Sequence, residues 1–327
     1  MKVWFFPMST TSTFLALAFA LALSLDKATA FVKFTSLTLS RPSPSHVAMS
    51  SSTKEKTMGA KTAGLLVNHR YVVQELAKVD PDLTEMERLR FALQFDSLGK
   101  ATEAVKDRQA WRQGPGRAIC QSAAAAVQSA QDGSDGKAWN NDPVYGSAPY
   151  AEVINQYITP KSVMTLSTTE GDLVYVIRAS AINDKELMDQ VTVEQLGDYF
   201  LYAKEIHSLV ANQRSVETGR LCNVIFANDI SGVRKAPDKR FSKALTSSSD
   251  AYEVLYPSLA GPTMILNLPF ILQAFVGLLK PLFPKSVQER LVFTKAPVLA
   301  ALPELSPLAK DPAKRQEFVQ EVVRLLP

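Results

Sequence analysis

Hydrophobic and polar positions change their spacing several times along this 327-residue chain, and each change marks an element. From Thr62 to Ala77 the apolar residues Leu65, Leu66, Val72, Val73, Leu76 and Ala77 predict an amphipathic helix. Thr84-Glu85-Met86-Glu87 is a capping box, opening a helix whose Met86, Leu89, Phe91, Leu93 and Phe95 make a broad apolar face. Asp96 and Ser97 can cap the next helix, which carries Ala101, Ala104 and Val105 and ends at Trp111-Arg112. Gly114-Pro115-Gly116 breaks the chain, and Ala118 to Ala130 reads as an alanine-rich helix. Gln131 to Pro149, rich in Gly, Asp, Asn and Pro, reads as a loop. A helical N-terminal subdomain over 62–140 is therefore expected, with a second domain over 141–327.

The second half alternates between strand and helix spacing. Leu173 to Ile177 is a β-branched run behind the turn Glu170-Gly171-Asp172. Val193 to Leu209 has Leu196, Tyr199, Phe200 and Ala203 on one helical side, and Leu221 to Ala227 is an apolar strand before Asp229-Ile230-Ser231-Gly232. A helix over Phe241–Leu255, a strand over Thr263–Leu268, a short strand Leu291-Val292-Phe293 and a closing amphipathic helix over Pro312–Leu326 complete the series. Strands separated by helices predict an α/β fold with a mostly parallel sheet flanked by helices.

Phe270 to Phe283 breaks the amphipathic rule. Its polar residues reduce to Gln273, Gly277 and Lys280, a single stripe at i, i+4 and i+7, while Phe, Ile, Leu, Val and Ala fill the rest. A surface helix needs an apolar arc of only about 100°. Between Pro269 and Pro281 the segment falls short of the ~20 apolar residues of a membrane span. Two environments remain: burial on all sides, or a lid with one face over an apolar cavity and the other against a bilayer. Lys280, Lys285, Arg290 and Lys295 suit anionic headgroups or a solvated rim equally well.

Charge and composition matter chiefly at the N-terminus. Lys2, the apolar run Phe14–Leu25 and Ala28-Thr29-Ala30 have the form of a signal peptide over residues 1–30. Residues 31–61 are rich in Ser and Thr, basic, and contain Glu55 as their one acid, which is transit-peptide composition. The pair is similar to the bipartite presequences of algae with complex plastids, so a plastid destination is expected; secretion or an endomembrane lumen is the alternative. Residues 1–61 hold seven Lys/Arg and two Asp/Glu, more than the whole chain's net +4, so the remainder is slightly acidic. Nucleic-acid binding loses its main argument. The two cysteines, Cys120 and Cys222, make no disulfide framework.

No enzyme motif stands out. Gly-x-Ser-x-Gly is missing, and His69 and His207, both on expected helices, have no Cys or His at ligand spacing. Gly114-Pro115-Gly116 follows a helix where a dinucleotide loop needs a strand. No catalytic residue, metal ligand or cofactor site is assigned. Apolar walls without a nucleophile fit a cavity binder.

Tyr256-Pro257, the apolar strand ending Asn267-Leu268-Pro269-Phe270, the apolar helix, Lys280-Pro281-Leu282-Phe283 and then Val287 to Phe293 keep one order over some forty residues. In that order the chain resembles the CRAL-TRIO family of phosphatidylinositol, phosphatidylcholine and tocopherol transfer proteins and the retinaldehyde-binding protein. The helical segment ending Trp111-Arg112 resembles it too. The resemblance implies a sheet as the floor of a lipid cavity, with Phe270–Phe283 as its mobile gate. It implies a structural turn at Asp229. Family patterns for particular headgroups are only partly present. Leu93 and Gln94 stand where phosphatidylinositol binders have a basic pair before Phe95-Asp96, Ser247 falls near an expected glutamate, and Lys280 matches. Val224 and Phe226 replace the hydroxyl residues of phosphatidylcholine binders, whereas Tyr175 matches a headgroup tyrosine or serves as core. The expected lipid-binding residues are thus Tyr175, Val224, Phe226, Leu266, Phe270, Phe275, Val276 and Leu279, with Lys280 and Lys285 at the headgroup or membrane. The expected function is binding or transfer of a phospholipid or isoprenoid, with peripheral membrane contact. The alternative is a sensor module that binds lipid without net transfer.

Overall fold

The computed structural model describes residues 60–132, 142–159, 162–167, 170–229, 237–266 and 291–294; at 132, 166, 167, 262–266 and 291–294 the description covers the backbone alone. The segments 270–283 and 312–326, read above as helices, lie outside the described residues.

The first amphipathic segment is two helices, α1 (Thr62–Asn68) and α2 (Arg70–Val79), parted at His69. Leu66 and Val72 are six residues apart, out of phase with a 3.6-residue repeat. The break lets Leu65 and Leu66 pack on the same cluster as Val72 and Val73. His69 is thus a junction residue, not a helical one. The capping box forms as expected at the head of α3 (Glu85–Gln94). Glu87 N–H donates to Thr84 Oγ1 at 3.3 Å, and Thr84 N–H donates to Glu87 Oε2 at 2.9 Å. Ser97 caps α4 (Leu98–Gln113). The chain then turns through Gly116, where a Cβ would run into the Trp111 ring, and enters α5 (Arg117–Asp132).

Ile119, Ala123, Ala126, Val127 and Ala130 of α5 join the main core with the sheet and its helices. The stretch read as a loop over 131–149 contains α6 (Asp142–Gly146), followed by α7 (Ala151–Ile154). Pro143 stands in the first turn of α6, where its missing N–H costs nothing. Tyr145 Oη donates to Ile158 O at 2.6 Å and Tyr202 Oη to Val144 O at 2.8 Å, fastening this corner to the body.

The strands are β1 (Val163–Ser167), β2 (Leu173–Arg178), β3 (Val224–Asp229), β4 (Ala260–Leu266) and β5 (Leu291–Thr294). They form one sheet in the order β1-β2-β3-β4-β5; β1 runs antiparallel to β2 and the other pairs are parallel. The edge strand β1, with Thr165 and Ser167 among its few residues, has too weak an alternation to stand out in the sequence. Helices α8 (Asp184–Gln190) and α9 (Val193–Thr218) link β2 to β3, and α10 (Lys239–Leu255) links β3 to β4. α9 runs past the expected Leu209 because Val210, Ala211, Arg214 and Ser215 continue its buried stripe. It ends at Gly219, whose φ of 66° places it in the left-handed region. Strands added in sequence by right-handed crossovers put their helices on one face. Accordingly, α9 and α10 share one core with Leu173, Tyr175, Ile177 and Val224.

Arg90 of α3 locks the helical layer to this body. Its Nε donates to Asn212 Oδ1 at 2.7 Å, and Nη1 donates to Ser258 O at 2.8 Å. Nη2 reaches Ser215 Oγ at 3.4 Å and also the Cys222 carbonyl. One guanidinium thus joins α3, α9 and the chain before β3 and β4, and burial pulls its pKa down to about 10. A second tie runs from Arg112 Nη1 to Glu205 Oε1 at 2.7 Å, with Tyr256 Oη donating to Glu205 Oε2 at 2.8 Å. Arg90→Ala orphans several buried acceptors and should destabilise the fold by about 3 kcal/mol or more. Thr84→Ala, which removes only the cap, should cost about 1 kcal/mol. Urea unfolding of both variants measures the contrast.

Candidate functional site

The face of the sheet beneath α9 and α10 is floored by one register row. Thr165 pairs with Tyr175, Tyr175 with Phe226, and Phe226 with Thr263. Lateral neighbours in a sheet share a face. Tyr175 is closed in, 6% exposed, with its ring edge-on to His207 at 4.8 Å and to Phe226 at 6.2 Å between centroids. Phe226 is only half-buried and meets the Tyr252 ring edge-on at 5.6 Å. Tyr252 in turn lies 5.5 Å from Tyr256. The floor is therefore a chain of aromatic edges, sealed over β2 and partly open over β3. Edge-to-face contacts of this kind contribute about 0.5–1.5 kcal/mol each beyond burial.

Polar side chains interrupt this wall. His207 of α9 takes a 2.8 Å hydrogen bond between its Nε2 and Thr165 Oγ1, while its Nδ1 is buried without a partner. Lys204, one turn earlier, donates to Ser248 Oγ of α10 at 3.0 Å and sits 5.4 Å from the centre of the Tyr252 ring. Burial pulls the Lys204 pKa down to about 7, with Asp250 opposing. Burial, reinforced by the Lys204 charge, pulls His207 down to about 3, so its ring is neutral near pH 7. The Tyr252 hydroxyl is buried without a hydrogen-bond partner, and burial raises its pKa far above the usual phenol range.

Of the residues expected to touch lipid, Tyr175, Val224 and Phe226 lie on this face. Val224 is fully buried beside Leu173 at the start of β3. Leu266 pairs with Asp229, so it belongs to the row of the Arg178–Asp229 pair and not to that of Tyr175 and Phe226. Phe270, Phe275, Val276, Leu279, Lys280 and Lys285 lie outside the described residues. Asp229 is wholly buried, its Oδ2 accepting from Arg178 Nε at 3.3 Å, consistent with a structural role for that corner. Cys120 and Cys222 are buried and free, and burial pushes the Cys120 thiol up to about 12. No His/Cys/Asp/Glu cluster able to hold a metal occurs among the described residues, and no helix among them is long and apolar enough to cross a membrane.

In the sequence His207 is weighed only as a metal or catalytic group, and Lys204, Ser248 and Tyr252 are not singled out. A signal existed: Lys204 and His207 stand four and seven residues after Phe200, on the continuation of its apolar stripe. A lysine in a core stripe either snorkels or has work to do. A separate hollow of about 460 Å³ between α4 and α5 is lined by Arg112, Gln113, Arg117, Cys120, Gln121 and Ala124. Its Arg112 is already held by Glu205.

The fold is a mostly parallel sheet with helices crossing one face over an aromatic floor. Residues 160–307 match the family described as the CRAL/TRIO domain. Over that span the chain carries a CRAL/TRIO domain, a lipid-binding module whose members in general bind or transfer lipid without transforming it. Among solved structures it is similar to a crystal structure of Sfh5, at 15% identity and a TM-score of 0.39. That match covers 72% of this chain and 65% of the other. No curated protein matches the sequence.

The buried imidazole has a consequence in acid. The unfolded chain protonates His207 near pH 6.5 and the folded chain only near 3, so the contribution is intact above 6.5 and lost as pH falls toward 3. Urea midpoints measured from pH 7 to 4 should therefore decline, and His207→Gln should flatten part of that decline. An identical decline in the variant would remove His207 as its source.

Proposed function

We propose that this protein is a lipid carrier. It holds one phospholipid or isoprenoid in an apolar space above Val224 and Phe226, beside Tyr175. Phe270–Phe283 serves as the gate, opening at a membrane and closing in water. Phe270, Phe275, Val276 and Leu279 supply the lid, and Lys280 and Lys285 meet headgroups. The observation that carries this reading is the CRAL/TRIO match, whose span of 160–307 takes in both the aromatic floor and the apolar segment.

Topology supports it. β5 joins the sheet next to β4 in parallel, so the floor continues beyond the row of Phe226 and Thr263. Energetics agree with an apolar space as the main source of affinity. Each buried methylene contributes about 0.8 kcal/mol, so a long acyl chain outweighs any one hydrogen bond, and headgroup contacts tune specificity. The basic, Ser/Thr-rich residues 31–61 behind a signal-like start support delivery to a plastid.

The test is movement of a fluorescent phospholipid between donor and acceptor vesicles with the full chain present in catalytic amount. A carrier accelerates exchange over many turnovers. Stoichiometric binding without acceleration would instead support a lipid-gated sensor, and no uptake of any lipid would contradict both. Phe275→Asp, which puts a charge on the apolar lid, should lower transfer by about tenfold or more with little change in melting temperature. Unchanged transfer would remove this segment from the gate role.

A further inference from the structure

Lys204 is a buried lysine whose direct contacts are neutral. Its Nζ contacts Ser248 Oγ and the face of Tyr252, and among the described residues no carboxylate comes within salt-bridge distance. Asp250 attracts it only at longer range. Lysine is rarely buried without a counter-charge, because stripping water from an ammonium is expensive. The same side of the sheet holds polar atoms that lack partners: His207 Nδ1 and the Tyr252 hydroxyl beside Lys204, and Asn228 Nδ2 further along β3. Asn228 stands two residues after Phe226 on β3 and so shares its face. Tyr252 bridges the two environments, with Lys204 on one side of its ring and the half-open Phe226 at its edge. An apolar floor thus leads to a polar end that has one positive charge and several unanswered hydrogen-bonding atoms.

Resting on the lipid-carrier reading, we propose that Lys204, with Tyr252 and His207 beside it, forms the polar end of the lipid site and receives an anionic oxygen group, a phosphate or carboxylate, borne by the bound lipid. An anion there supplies the missing counter-charge and accepts from the Tyr252 hydroxyl. Neutral His207 complements it, donating from Nδ1 when Nε2 accepts from Thr165. The depressed Lys204 pKa agrees with a site that is incomplete without its ligand, since an adjacent anion favours the ammonium. The charge recognised is the lipid's own: Lys204 is 6% exposed, and its ring partner Tyr252 meets the half-buried Phe226. The site therefore selects acidic lipids over neutral ones with identical chains.

The experiment uses the full chain and phosphatidylcholine vesicles doped with pyrene-labelled phosphatidic acid or with pyrene-labelled diacylglycerol of the same chains. Wild type should take up the phosphatidic acid about tenfold better, the worth of one charge-assisted hydrogen bond. Lys204→Met should bring the two probes to parity while still taking up diacylglycerol. Lys204→Arg, which keeps the charge, should retain the preference, and Tyr252→Phe should weaken it. Uptake of diacylglycerol by both wild type and Lys204→Met, with the phosphatidic acid preference equal or absent in the two, overturns this proposal and leaves the carrier reading standing. Uptake of neither probe by wild type overturns both. Inorganic phosphate that raises the melting temperature of lipid-free wild type but not of Lys204→Met would assign the site to a free anion and overturn the lipid part.

Discussion

Parallel pairing of β2, β3, β4 and β5 is the constraint on which the rest of the molecule depends. Parallel strands are joined by crossovers, and a central strand with both faces covered reads as an unbroken apolar run. β2 shows this directly: Leu173 to Arg178 are all buried. On the face carrying Tyr175 and Phe226 the cover is α9 and α10, which begin as flanking helices and become the walls of the site. The floor closes where His207 lies on Tyr175 and loosens at Phe226, so packing and access are set by one row of residues.

The helical N-terminal layer makes that wall rigid from behind. Arg90 reaches through α3 to α9 and to the chain entering β3 and β4, and Glu205 takes both Arg112 and Tyr256. The Asn212, Cys222 and Glu205 acceptors are buried, so the ties are stringent: a missing partner leaves an unanswered polar group in a low dielectric. Glu205 and Lys204 are adjacent on α9 yet serve opposite ends. Glu205 is satisfied by an arginine and a tyrosine, whereas Lys204 has a serine and an aromatic face. One residue is spent on architecture and its neighbour remains open to a ligand.

Local signals made much of the fold legible in the sequence. The capping box at Thr84, the turn at Gly171 and the apolar runs around Val176 and Ile225 act over a few residues, and the elements formed there. Signals that depend on distant partners were harder to see. β1 is a strand because β2 offers it an edge, α9 extends to Thr218 because other elements cover its second half, and His69 breaks a helix to bring two stripes into phase. The site followed the same division. Tyr175 and Phe226 could be found from strand spacing and resemblance, but Lys204 gains its meaning from Ser248 and Tyr252, more than forty positions away.

A bound lipid is the central claim, and native mass spectrometry of the full chain, purified gently from cells with a mixed lipid complement, tests it most directly. The account predicts a population heavier than the polypeptide by the mass of a single lipid, with the increment lost on denaturation and regained on exposure to vesicles. A polypeptide that carries no lipid from cells and gains none from vesicles would contradict it.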